Sequence, residues 1–140
     1  MKKILLLSAI FCYSFISGQI KTPQPSPTAT ITQKVGVSNI SVEYSRPGAK
    51  GIEIFGGLVS YGKMWRTGAN KATKITFNEN CVFGGAKVKK GSYSLFTIPG
   101  EKEWKVVLNK NTELWGVVEY DEENQVCAIK VKAFETKDFT

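Results

Sequence analysis

The sequence predicts an all-β domain, an antiparallel β-sandwich or jelly-roll-like arrangement of about eight short strands. Three observations carry that prediction. Apolar and polar residues alternate at period two along most of the chain after residue 27. Turn chemistry interrupts the alternation at regular intervals. No stretch shows a persuasive helical period.

Taken in order, Ile40, Val42 and Tyr44 share one face against Ser41, Glu43 and Ser45. Thr73, Ile75 and Phe77 oppose Lys74 and Thr76, a phase that would carry on to Cys81 if the strand runs through Glu79. Cys127, Ile129, Val131 and Ala133 oppose Ala128, Lys130 and Lys132. Such segments bury one face of a strand. Tyr93 to Ile98 and Val106 to Leu108 are apolar on both phases, which places them centrally. Gly84-Gly85, Lys90-Gly91, Pro99-Gly100 and the run Asp121 to Gln125 supply the turns. The exception is Arg46 to Gly68, a Gly-rich excursion with only a short apolar run at Leu58-Val59. A long irregular segment in a compact domain is usually functional or packed as an ordered loop.

The ends have their own chemistry. Lys2 and Lys3 precede an apolar run from Ile4 to Ile16, and Ser17-Gly18 offers small residues for cleavage before Gln19. Residues 1–18 therefore read as a secretory signal peptide, shorter than a membrane span. Ala9-Ile10-Phe11 lacks the small residue expected just before a lipidated Cys12. Cleavage leaves no transmembrane segment and implies a periplasmic or secreted protein. Residues 19–27, with Pro23, Pro25 and Pro27, form an extended linker. Residues 28–140 then make one domain with a single core. The chain stops a few polar residues after its last strand, so C-terminal strands are expected to be missing.

Function is narrowed mainly by exclusion. The net charge of +7 is spread as lysine along strands, without the basic and aromatic clustering of a nucleic-acid surface. The chain has no histidine, which removes the commonest general base and metal ligand, and with them Ser-His-Asp and Cys-His machinery. No carboxylate pair has the placement a glycosidase needs, and no phosphate-cradling or dinucleotide loop is present. No catalytic residue, metal or cofactor is expected, and no hydrolysis of esters, peptides or glycosides. Cys81 and Cys127 are expected to be free thiols, since no spacing requires them to meet.

The positive signal lies in Tyr61-Gly-Lys-Met-Trp-Arg-Thr-Gly-Ala-Asn70. Of nineteen basic residues only Arg46 and Arg66 are arginine. An arginine kept where lysine serves everywhere else suggests a site needing a planar, multi-donor fork. Arg66 can clamp loop carbonyls and a carboxylate such as Glu43, which is the reading the sequence favours, or it can bind a ligand carboxylate or sugar. The candidate binding residues are Tyr61, Lys63, Trp65, Arg66, Asn70 and Arg46; an enzyme would draw on Lys63, Arg66, Asn70 and Glu43. Trp104 alternates with Val106 and Leu108 and should be core, whereas Trp115 is undecided. The partners considered are a small ligand, a glycan or an envelope protein.

Several blocks carry a family resemblance: Tyr44-Ser-Arg-Pro47, Ile54-Phe-Gly56, the Tyr61 to Asn70 segment, and Lys90 to Gly100. With Trp104, Leu108-Asn109 and Trp115-Gly116 in step, the chain after the linker resembles the secreted family catalogued as domain of unknown function 2911. The resemblance implies an exported domain of Gram-negative bacteria with no assigned activity. It also implies further strand-like sequence beyond the point matching Phe134. The sequence thus leads to an exported, non-catalytic binding or envelope-associated module.

Overall fold

The structure is a computed structural model and describes residues 22–134. The signal peptide expected at residues 1–18 and the start of the linker lie outside the described residues. Eight strands form among the described residues: β1 (Thr28–Val35), β2 (Ser38–Ser45), β3 (Thr73–Phe77), β4 (Cys81–Phe83), β5 (Ala86–Val88), β6 (Gly91–Ile98), β7 (Glu103–Asn109) and β8 (Gln125–Lys132). Six of them make one antiparallel sheet in the order β1-β2-β3-β6-β7-β8, and β4-β5 form a separate hairpin. The large sheet is open, with β1 and β8 at its edges. Among the described residues no helix is long and apolar enough to cross a membrane.

Register turns the alternation into two faces. Val42 pairs with Ile75, Ile75 with Tyr93, Leu95 with Leu108 and Leu108 with Cys127, so these residues share one face. The β4-β5 hairpin covers it. Val88 is buried there, Phe83 meets Phe77 edge-on at 5.9 Å between ring centres, and Cys81 packs against the same cluster. Cys81 therefore does not continue the β3 phase. The chain turns after Phe77 and returns as β4, so Cys81 reaches the core from the covering layer while Cys127 reaches it from the sheet. Both are free thiols.

The other face of the central strands is covered as well. Phe96 and Val107 pair across β6 and β7 and pack with Ala72 and Leu114, flanked by Met64, Val117 and Tyr120. Burial on both faces explains why β6 and β7 are apolar on both phases. The loop after β7 is held down by Asn109, which is fully buried. Its Nδ2 donates to the Asp121 carbonyl at 2.8 Å and its Oδ1 accepts from the Asn111 amide at 2.9 Å. A buried amide satisfied on both ends fixes the loop that carries Leu114 and Trp115.

Candidate functional site

The segment from Arg46 to Ala72 contains no named strand, yet it is tied to the sheet at one end. Trp65 exchanges two backbone hydrogen bonds with Thr97, at 2.7 and 2.9 Å, and so extends the sheet beside β6 where β3 has not yet begun. Its indole Nε1 donates to the Gly68 carbonyl at 3.1 Å. Phe55 stands edge-on to Trp65 at 5.8 Å and to Trp104 at 4.8 Å, pinning the Gly-rich excursion over this end of the sheet. Trp104 shares a face with Val106 and Leu108, in the phase the sequence implied, but it is only half-buried and belongs to neither core cluster, so it is not the core residue expected.

Past Trp65 the backbone is constrained. Thr67 and Asn70 adopt φ of 57° and 60°, a region that β-branched residues avoid. Three contacts hold Thr67 there: its hydroxyl shares a 3.1 Å bond with the Thr97 hydroxyl, its carbonyl accepts from Thr73 Oγ1 at 2.7 Å, and Thr73 N donates to the Arg66 carbonyl at 3.1 Å. Strain of this kind persists only where the surroundings over-determine it.

Arg66 sits inside this constrained turn. The clamp reading required a carboxylate or carbonyl partner, and the described residues provide none. Its Nε is buried with no hydrogen-bond partner among the described residues. The ion pairs among the described residues are Lys71–Glu113, Lys74–Glu43 and Lys130–Glu103. Glu43, the expected partner, is held by Lys74 at 3.1 Å.

Arg66 instead lines a cavity of about 410 Å³ beneath the excursion, walled by Pro47, Ile52, Ile54, Leu58, Val59 and Trp65. A second cavity, of about 440 Å³, lies beyond the same turn and is lined by Gln24, Glu43, Ser45, Asn70, Lys71 and Trp115 among others. The residues singled out from the sequence are thus divided. Trp65 and Arg66 meet in the first cavity. Asn70 faces the second and donates to the Ser26 carbonyl at 3.3 Å and to Ser45 Oγ at 3.5 Å. Tyr61 is 43% exposed and packs beside Gly56; Lys63 and Arg46 are exposed, and none of the three lines either cavity. The enzyme set Lys63, Arg66, Asn70 and Glu43 is therefore not brought together, because the turn at Thr67 to Asn70 separates Arg66 from Asn70 and Glu43.

Sequence reasoning missed the aliphatic wall. Ile52, Ile54, Leu58 and Val59 are apolar residues within a Gly-rich loop, and that composition was the available signal. It also missed that the end of the Pro-rich segment belongs to a cavity: Gln24 and Pro25 line the second one, and the Pro27 carbonyl accepts from Arg46 N at 2.9 Å. Among the described residues no group of three His, Cys, Asp or Glu side chains could hold a metal ion.

An open antiparallel sheet with loop-built cavities at one end defines a small all-β domain whose distinctive chemistry lies in its loops. The chain belongs to the family described as "Protein of unknown function (DUF2911)", which it matches over residues 26–140. No curated protein and no solved structure matches it.

Proposed function

We propose that this protein is an exported, non-catalytic binding module. Its ligand is a small amphiphile with an apolar body and a carboxylate or similar anionic head, seated in the Arg66 cavity. The observation that carries this reading is Arg66, a cation with no acidic partner among the described residues, lining a cavity with an aliphatic wall. A cation without a counter-charge favours an anion, and a carboxylate meets a guanidinium fork with two parallel bonds. A cavity of about 410 Å³ falls in the range of small-molecule sites, about 300–1,000 Å³. Trp65 serves as wall and anchor, since its indole N–H is already spent on Gly68. Export rests on the charge and apolar pattern of residues 1–18. Cell fractionation with N-terminal mass spectrometry tests it, the expected product beginning at Gln19.

Decanoate and its cationic counterpart decylamine test the site. Decanoate should bind saturably and raise the melting temperature, and decylamine should do neither. Arg66→Gln should weaken decanoate binding about 10- to 100-fold, the worth of one hydrogen bond to a charged group. Equal binding of both probes, or decanoate binding indifferent to Arg66→Gln in a folded variant, would refute the anionic-ligand reading.

A further inference from the structure

The second cavity differs from the first in charge, and the difference points to a different ligand. Lys71 Nζ lies 2.8 Å from Glu113, and Glu43 lies 3.1 Å from Lys74, so each charged group lining this cavity has an opposite charge beside it. Lys71 raises no demand for an anion, and Glu43 none for a cation. What the walls offer is uncharged hydrogen bonding: the Asn70 carboxamide oxygen, which accepts no bond among the described residues, the Ser45 hydroxyl and the Gln24 amide.

At the rim stands Trp115, 62% exposed although Leu114 beside it is buried. Its backbone is not loose. Lys71 and Trp115 form an antiparallel bridge, Ala72 N donates to the Leu114 carbonyl at 3.0 Å, and Gly116 N donates to the Asn70 carbonyl at 3.4 Å. The indole is therefore carried on a segment stitched to the same turn that presents Asn70. Fixing the platform and the polar wall to one backbone lowers the ordering cost of binding.

We propose that this second cavity is a carbohydrate site, in which a neutral pyranose stacks its C–H face on Trp115 and directs its ring hydroxyls to Asn70, Ser45 and Gln24. A pyranose is uncharged, has one apolar face, and carries hydroxyls that both donate and accept. That combination matches an exposed indole beside mixed, charge-balanced polar groups. The assignment is independent of the Arg66 cavity, which lies on the far side of the Thr67–Asn70 turn and carries a cation with no acidic partner among the described residues.

Nitrogen-15 NMR titration with maltotriose, cellotriose and chitotriose, each up to about 10 mM to reach millimolar affinities, tests the site. At least one sugar should saturably shift the Trp115 indole and Asn70 carboxamide signals. Trp115→Ala should weaken that binding by about tenfold or more, as truncation of a central aromatic anchor does. The indole signals of Trp65 and Trp104 report that the variant is folded. The proposal is overturned if none of the three sugars moves those signals, or if Trp115→Ala binds as tightly as the parent. It is also overturned if sodium sulfate moves the same signals saturably, since that would mark an anion site.

Discussion

Arg66 Nε is a donor removed from water without receiving an acceptor, a situation that costs about 1–3 kcal/mol. Arg66→Met keeps an unbranched stem against Trp65 and removes that cost, so its melting temperature should equal or exceed the parent's while anion binding is lost. Arg66→Lys should also melt near the parent. A drop of several degrees in both would return Arg66 to a structural role. At Gly57 the opposite holds: an added Cβ would collide with the Glu53 carbonyl oxygen, and backbone cannot swing aside as a side chain can. Gly57→Ala should destabilise by about 1–3 kcal/mol, the usual cost of overpacking, and loosen the wall built by Leu58 and Val59. Thermal melts read the first effect and decanoate affinity the second.

The β4-β5 hairpin is the element with the least hydrogen bonding to the rest of the fold. It pairs only with itself, and side chains hold it in place. Val88→Ala should therefore cost about 1–3 kcal/mol and loosen the hairpin before the sheet. The two thiols report that opening. Burial pushes the Cys127 thiol above its ordinary range, with the neighbouring Cys81 acting in the same direction and a hydrogen bond to the Leu108 backbone opposing them. The thiolate is the reactive form, so alkylation of native Cys127 should lag behind that of the unfolded chain at neutral pH and accelerate as pH rises into the alkaline range. Val88→Ala should speed it at constant pH. Equal rates in parent and variant would mean that the hairpin does not gate the thiol.

Across the whole molecule the two apolar clusters share strands. Tyr93 and Leu108 serve the hairpin side while Phe96 and Val107, on the same β6 and β7, serve the other. Losing either cluster removes the reason for those strands to stay paired, so the described domain should unfold as one unit. Phe77→Ala and Phe96→Ala, one on each face, should each cost about 3–5 kcal/mol. Each should also shift a single denaturant transition in which fluorescence and circular dichroism coincide. Separated transitions in either variant would show that the two faces fold independently.

The sequence by itself determined the class of fold, the strand phases at Val42, Ile75 and Ile129, and the central place of β6 and β7. Period-two burial is a local property, written residue by residue along each strand. It also marked Trp65, Arg66 and Asn70 as unusual. It could not show that β4 leaves the sheet to cover it, because a turn after Phe77 and a continued strand fit the same alternation. Nor could it say whether Arg66 meets Glu43. That depends on Lys74 lying across from Glu43 in the β2–β3 register and on a strained turn at Thr67 facing Arg66 and Asn70 toward different cavities. Those outcomes are set by contacts between residues far apart in the chain, so only the tertiary structure decides them.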